Sequence, residues 1–391
     1  MDKRNIYLTL IATSHGINHI YQLLTPIIIP KIADEYLLST TSAAVLISMY
    51  SLSYALLQAP SGILSKTLGR KNTIILGFVI TFTSFLIMGF IDNLILFALL
   101  LFLAGVGGST YHPNGMPLLS GFFKENRGQA AGFHQTGGSL GSVIAPLVIG
   151  PLVIVFGWRL TLSLLAFPGL ILSIALWLVL KEPKQIVLES SDKLKTKPEK
   201  TSVKRYGPSL IFIAATVTYT LGIRGVDALA VLYFQRGRGI SNYIEATFIF
   251  STLKIAGLFS APICGRLSDT FGRKKAIAVL VCIEAACLYL LTVVPNNLLV
   301  GPCLFFGFAS FGLLAITDAF LADITPKRYM ETIFGLHFTL SFFTQVIIPP
   351  IFGAIGEYTN SFDLSFIILS LIVPLSIPIL LKVKSQKRIG E

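Results

Sequence analysis

The 391-residue sequence has little charge: only 13% of its residues are Asp, Glu, Lys or Arg, whereas 53% are hydrophobic. Soluble proteins carry about 25% charged residues, which keep their surfaces hydrated. The scarcity of charge therefore excludes an ordinary soluble protein. A mean hydropathy of +0.76 indicates a protein whose surface faces lipid.

Cysteine is equally scarce, and its four copies contain no Cys-x-x-Cys pair. We interpret them as packing residues and expect neither a disulfide nor a metal site from them. A Gly-x4-Gly-Lys-Ser/Thr loop is missing as well, so ATP is not expected to drive this protein. Ser and His are neighbours only at Ser14 and His15, which point to different faces of a helix, so we predict neither enzymatic activity nor a cofactor. The cysteines are Cys264, Cys282, Cys287 and Cys303.

Long apolar runs take the place of the missing charge. We count twelve runs of about 20 residues, each long enough to cross the ~30 Å hydrocarbon core of a lipid bilayer. Helices are the structures that satisfy their own backbone hydrogen bonds within one such segment. The sequence therefore predicts an all-α membrane protein with twelve transmembrane helices.

The charge that is present is mostly basic, with 31 Lys and Arg against 19 Asp and Glu and a net charge of +12. If the helices alternate in direction, 25 of the 31 basic residues lie on one side of the membrane, eight of them in residues 181–205. The positive-inside rule identifies that side as the cytoplasm and places both termini there. The basic excess thus indicates topology in the cytoplasmic membrane, and no nucleic-acid partner is expected.

Two segments of the chain recur at one constant offset of 203 residues. The charged segment 181–208 separates the copies, so we predict a six-helix bundle at 1–180, a cytoplasmic linker at 181–208 and a second six-helix bundle at 209–391. The shift carries Gly62, Gly69, Arg70 and Lys71 onto Gly265, Gly272, Arg273 and Lys274, and Gly132, His134, Thr136 and Pro146 onto Gly335, His337, Thr339 and Pro349.

The segments GILSKTLGRK (62–71) and GRLSDTFGRK (265–274) resemble the loop motif of the major facilitator superfamily, Gly-x-Leu-x-Asp-x-x-Gly-Arg-Lys. The resemblance implies two pseudo-symmetric six-helix bundles. It also implies that the acidic residue of the motif meets a helix N-terminus and latches the cytoplasmic side. The second copy has this acid as Asp269. The first copy has Lys66 there, and a cation is repelled by the positive end of the helix dipole at a helix N-terminus.

The stretch GFHQTGGSLGSVIAPLVIG (132–150) resembles the helix-5 motif of antiporters in that superfamily, which implies export. The alternative is a tightly packed, kinked helix without a functional direction. Two further segments, HGINHIYQLLTPIIIP (15–30) and YHPNG (111–115), resemble the fosmidomycin-resistance-type branch, with His19 in place of an Asp. The helix-5 motif is kept at Gly132, Gly141, Pro146 and Gly150, whereas Ala145 and Ile149 replace two glycines.

Polar residues inside the spans of the first half are predicted to bind substrate, because ionisable groups in membrane helices usually mark a pathway. Four residues of the first span share one helical face at i, i+3, i+4 and i+7. Satisfied core histidines are the alternative, and a metal site would need ligands from other helices. The predicted residues are His15, Asn18, His19 and Gln22 in the first span, Tyr111, His112 and Asn114 in the fourth, and His134 in the fifth.

Buried charges cluster in the second half. Arg224 and Lys254 are predicted to favour an anionic group on the substrate. Asp227, Asp318 and Glu284 are predicted to couple transport to protons, because an acid left over from ion pairing can titrate. A static salt-bridge network is the alternative.

Together these features predict a secondary active transporter that works as a monomer by alternating access. We expect proton-coupled efflux, an antiport, of a small organic molecule, which is anionic if Asp227 and Glu284 do not fully neutralise Arg224 and Lys254. Three alternatives remain: a proton-coupled metabolite importer, a histidine-based transporter of a divalent metal, and a membrane sensor. A membrane sensor usually needs a large soluble domain, and the 28-residue segment between the two halves is too short to supply one.

Overall fold

The computed structural model describes residues 3–123, 126–182, 207–326 and 329–383, and these ranges are helical with short turns. Most of the predicted linker at 181–208 lies outside the described residues. The first half forms α1 (Lys3–Glu35), α2 (Thr40–Leu68), α3 (Arg70–Met88), α4 (Leu94–Gly108), α5 (Tyr111–Phe122) and α6 (Arg127–Val179). The second half forms α7 (Gly207–Arg236), α8 (Tyr243–Phe271), α9 (Arg273–Val293), α10 (Val300–Ile324), α11 (Met330–Thr359), α12 (Phe362–Ile372) and α13 (Ser376–Leu381).

Ten helices among the described residues are long and apolar enough to cross a membrane, with Leu94–Phe122 counted as one. The predicted fifth and sixth spans form the single element α6. Its helical geometry breaks at Gly157, where φ is 72° and ψ is 163°. The predicted first span, α1, is not among the ten. A helical membrane protein is therefore confirmed, and the twelve-span topology stays a prediction.

The chain divides into two compact units. The first unit comprises Met1–Leu38 with Val45–Glu199, and the second comprises Ser39–Ala44 with Lys200–Glu391. The division after Glu199 falls inside the predicted linker, whereas the first residues of α2 group with the second unit. The internal pseudo-symmetry of the two halves stays a prediction.

In the first unit, α6 packs along α1 and α3, and α1 also contacts α5. Close approach of α6 to α1 depends on glycine. A Cβ atom at Gly141 would meet the backbone of Gly16, and one at Gly137 would meet the backbone of Ala12. A Cβ atom at Gly132, the first glycine of the helix-5 motif, would have no neighbouring heavy atom within 4 Å. Pro146 and Gly150 are buried. Part of the motif therefore serves helix packing.

The same substitution, glycine to alanine, is therefore predicted to change the stability of the protein in opposite directions at two positions of α6. Gly141→Ala should destabilise the protein by about 1–3 kcal/mol, because the added methyl group overlaps backbone atoms that have no room to move. Gly132→Ala is the matched control and should be neutral or stabilising by up to about 1 kcal/mol through helix propensity.

Melting curves of the purified variants in detergent check the prediction. A thiol-reactive dye suits the measurement, because Cys264, Cys287 and Cys303 are buried and become reactive on unfolding. Equal melting temperatures for the two variants would contradict the role of Gly141 in helix packing.

In the second unit, α10 packs against α8 and α9, α11 packs against α7, and α9 contacts α12. Polar contacts join these helices where side chains are buried. The Tyr219 hydroxyl of α7 shares a hydrogen bond with Thr317 of α10. The Tyr233 hydroxyl at the other end of α7 donates to Asp363 of α12 over 2.5 Å. These two buried hydroxyl groups thus form hydrogen bonds between helices, as is common in helix packing within membranes.

The two predicted loop motifs form tight turns between α2 and α3 and between α8 and α9. Gly69 has φ 84° and Gly272 has φ 92°, a conformation that side chains rarely adopt. Gly62, which precedes the first turn, meets only ordinary van der Waals contact, and Gly265 before the second has open space. The glycines at the turns are therefore explained by backbone geometry.

An acid does meet a helix N-terminus in the first copy, but it comes from outside the motif. Glu182 accepts from the backbone N–H of Arg70 over 2.7 Å and from that of Lys71 over 3.3 Å, which caps α3. Lys71 also donates through Nζ to the carbonyl oxygen of Trp177. The N-terminus of α3 thus receives a negative charge from the segment after α6, in accordance with the helix dipole.

In the second copy the acid of the motif binds a side chain. Asp269 lies 3.2 Å from Arg273, which also pairs with Asp323 of α10 over 2.5 Å. Lys274 donates to the carbonyl oxygen of Val383. Among the described residues, no side-chain hydrogen bond caps α9 at Gly272. Within this unit, Arg273 therefore ties the turn to α10, and a gating role of the motif stays a prediction.

Candidate functional site

Four histidines that are far apart in sequence meet in the first unit. They are His15 and His19 of α1, His112 of α5 and His134 of α6, and we call them the histidine cluster. The ring centroid of His15 lies 4.7 Å from that of His19, 5.2 Å from that of His112 and 4.1 Å from that of His134. The i, i+4 spacing aligns the first two on one helical face. The packing of α5 and α6 against α1 supplies the others.

A backbone carbonyl determines the tautomer of His15. Its Nδ1 lies 2.9 Å from the carbonyl oxygen of His134, and because a carbonyl only accepts, Nδ1 carries the proton. In the neutral ring the lone pair is therefore on Nε2. This nitrogen lies 3.1 Å from Nε2 of His19. His15 thus presents an electron pair to its neighbour in α1.

His134 is held by Tyr111, the residue that precedes His112. The Tyr111 hydroxyl donates to the carbonyl oxygen of Ile11 over 2.5 Å, so it accepts from Nε2 of His134, 3.0 Å away. Nδ1 of His134 is buried without a hydrogen-bond partner among the described residues. These contacts join α6 and α5 to α1. They indicate that the His134 side chain positions the cluster.

The other predicted polar residues of the first half point into the first unit. Asn18 is buried and donates to the hydroxyl of Tyr54 in α2 over 3.3 Å, and Gln22 is 8% exposed. Asn114 donates through Nδ2 to the carbonyl oxygen of Thr110, whereas its Oδ1 has no hydrogen-bond partner among the described residues. Substrate binding by these side chains stays a prediction.

Three charged side chains meet in the second unit, and we call them the charge cluster. Lys254 of α8 forms a direct ion pair with Asp227 of α7, and Arg224 Nη1 lies 4.0 Å from the second carboxylate oxygen of Asp227. Only 4% of the Lys254 side chain is exposed. Aromatic rings complete the surroundings, with Phe342 4.5 Å from the Arg224 guanidinium and Phe250 5.2 Å from Lys254 Nζ. Two cations thus approach one carboxylate.

Glu284 of α9 does not form an ion pair with Lys254, although both residues lie in membrane helices of the second half. The residue is completely buried. Its carboxylate lies close to the backbone of Ile223. It also packs against Gly222 of α7, where an added Cβ atom would collide with Oε1 of Glu284. Neither carboxylate oxygen has a hydrogen-bond partner among the described residues. A buried carboxylate is costly in this position unless it takes up a proton or gains a partner.

Asp318 of α10, the third predicted acid, is half-exposed and lies 3.8 Å from Nε2 of His337 in α11. His337 is buried, and sequence reasoning did not select it as a site residue. A signal for it existed, because the 203-residue offset makes His337 the counterpart of His134. Glu182 was also missed, because it lies outside the motifs. Ser142, whose Oγ lies 3.3 Å from Nδ1 of His19, was missed because it occupies a variable position of the helix-5 motif.

Comparison with known proteins gives one family. The sequence profile described as Major Facilitator Superfamily matches residues 11–349 and 255–389. The chain is 27% identical over 271 residues to the MFS transporter asaE of Aspergillus flavus, a match that covers 66% of this chain and 59% of that protein.

Two bacterial relatives match over longer stretches. A probable L-galactonate transporter of Escherichia coli is 24% identical over 371 residues, which is 86% of this chain and 80% of the relative. The multi-drug resistance efflux pump PmrA of Streptococcus pneumoniae is 27% identical over 320 residues, which is 80% of this chain and 78% of that protein. A solved bacterial homologue of the human lysosomal transporter Spinster has a TM-score of 0.74 at 15% identity, covering 98% of this chain and 96% of that one.

Proposed function

This chain belongs to the Major Facilitator Superfamily, and on that basis we propose that it is a proton-coupled exporter of a small organic anion, working as a monomer by alternating access. Family and fold are those of multi-pass membrane transporters, which are not enzymes. The superfamily resemblance of the loop motifs is thereby confirmed, and the fosmidomycin-resistance-type branch stays a prediction. We place the protein in the cytoplasmic membrane with both termini in the cytoplasm.

The charge cluster carries the proposal of an anionic substrate. Lys254 and Arg224 both approach Asp227, which places two cations next to each other inside the second unit. A guanidinium group binds carboxylates through two parallel hydrogen bonds, so an organic acid is a suitable ligand for such a group. The relative named as a probable L-galactonate transporter supports this chemistry, because a sugar acid is a small carboxylate.

Glu284 supports coupling to protons. Its carboxylate is buried and makes no hydrogen bond among the described residues, so a change of protonation would alter the stability of this arrangement. Asp318 and Asp227 have partners at His337 and Lys254, which favours Glu284 over them as the group that exchanges a proton.

The helix-5 motif and the efflux-pump relative favour export. Import by proton symport is the second candidate, because the probable L-galactonate transporter matches a similar share of this chain. The two directions differ in the sign of the coupling. Protons and substrate move in opposite directions in an antiport and in the same direction in a symport.

Proteoliposomes test the function and its coupling together. We expect radiolabelled hexuronate, galactonate or another small carboxylate from a panel to accumulate when the lumen is acidic, with valinomycin and potassium holding the membrane potential at zero. The sign of coupling does not depend on the orientation of the protein in the vesicle. Accumulation only with an alkaline lumen would establish symport instead. Absence of flux for every carboxylate would refute transport of a small organic anion.

A further inference from the structure

We propose that His15, His19 and His112 bind one divalent transition-metal ion within the first unit. One nitrogen atom from each ring lies within 4.8 Å of those from the others. Zn–N distances of about 2.0–2.1 Å in a tetrahedral site put two ligand nitrogens roughly 3.3 Å apart. The Nε2 atoms of His15 and His19 lie 3.1 Å apart, which is close to that value. The sequence indicated the pair in α1 but no third ligand, and α5 supplies it.

The ligand rings are oriented before an ion arrives. Nδ1 of His15 donates to the carbonyl oxygen of His134, which leaves the Nε2 lone pair for a metal. Nδ1 of His19 lies 3.3 Å from Oγ of Ser142, also in α6. Metal-binding histidines generally use their second nitrogen in this way, and such partners fix the ring and its tautomer. A metal ion would replace the proton now shared between the two Nε2 atoms.

The donor set determines which ions fit. Three imidazole nitrogens suit Zn²⁺, Ni²⁺ or Cu²⁺, whereas Mg²⁺ and Ca²⁺ require oxygen ligands. No Cys, Asp or Glu joins this group within the described part of the chain. His15 is buried, but His19 and His112 are partly exposed, so the fourth position of a tetrahedral ion is open on their side. That position would take water or a carboxylate.

The second unit has no copy of this site at the repeat offset. The residues 203 positions after the three histidines are Thr218, Gly222 and Ala315, none of which binds metals through its side chain. We therefore expect one ion per chain. The metal site does not depend on the proposed function, because the charge cluster lies in the other unit.

Titration of the detergent-purified protein with Co²⁺ and Zn²⁺ tests the site. The full chain should be purified with a tag that contains no histidine. We expect visible Co²⁺ absorption bands at one equivalent, displacement of Co²⁺ by Zn²⁺, and a higher melting temperature with Zn²⁺. His19→Gln and His112→Gln should each weaken binding at least tenfold. Absence of Co²⁺ bands and of a Zn²⁺-dependent shift in the unsubstituted protein would overturn the proposal.

One histidine variant serves as a control for position. His337→Gln removes the histidine of the second unit and should leave Co²⁺ affinity unchanged. Size-exclusion profiles without metal separate unfolding from ligand loss. Equal losses of affinity in His337→Gln and His112→Gln would refute the assignment.

Discussion

Asp227→Asn is expected to destabilise the protein by about 3–5 kcal/mol and to abolish transport. The substitution leaves Lys254 buried without its counter-charge and keeps Arg224 beside it. Removing one partner of a buried ion pair is strongly unfavourable, because the remaining charge has lost its solvent and its neighbour. For a domain of 150–250 residues, a change of this size lowers the melting temperature by roughly 2–4 °C per kcal/mol.

A double variant separates stability from function. Asp227→Asn combined with Lys254→Met removes both charges of the pair and should recover most of the melting temperature, because an apolar chain replaces the buried ammonium group. Transport should remain lost, since only one of the two cations of the charge cluster, Arg224, is then left to bind the substrate. Lys382→Met, at an exposed lysine after α13, is the control for loss of a lysine charge.

Melting curves and carboxylate flux of these variants check the prediction. A single Asp227→Asn variant as stable as the original protein would show that Lys254 is not buried as a charged group. Full transport by the double variant would mean that the ion pair is unnecessary for substrate binding.

Glu284→Gln is expected to remove accumulation driven by a pH gradient and to leave substrate exchange intact. Gln has nearly the shape of Glu but cannot take up and release a proton. Because the carboxylate is buried against Gly222 without a hydrogen-bond partner among the described residues, the neutral amide should fit without loss of stability. The variant should therefore still bind substrate and exchange it across the membrane.

Two flux measurements on the same proteoliposomes distinguish these steps. The first follows uptake under a pH gradient, and the second follows exchange of labelled for unlabelled substrate without a gradient. Glu245→Gln, at an exposed acid in the first turn of α8, is the matched control and should keep both activities. Undiminished gradient-driven accumulation in Glu284→Gln would exclude this carboxylate from proton coupling.

Local patterns predicted the elements well, because they depend on neighbours along the chain. Hydropathy identified the membrane helices, and the glycines at Gly69 and Gly272 identified the two tight turns. The fifth and sixth apolar runs, at 128–155 and 158–180, are separated by residues 156–157, and the helical geometry of α6 breaks at Gly157. The stripe of His15, Asn18, His19 and Gln22 was likewise recognisable from helical spacing alone.

The sequence by itself determined the membrane class and the residues that form the polar face of α1. Only the tertiary structure decided which groups meet: His112 beside His15 and His19, Lys254 with Asp227, Glu284 over Gly222, and Glu182 at the N-terminus of α3. The physical reason is that hydropathy and periodicity define the face of one helix. Pairing across helices also depends on the rotation and the closeness of neighbours, which glycines such as Gly141 control.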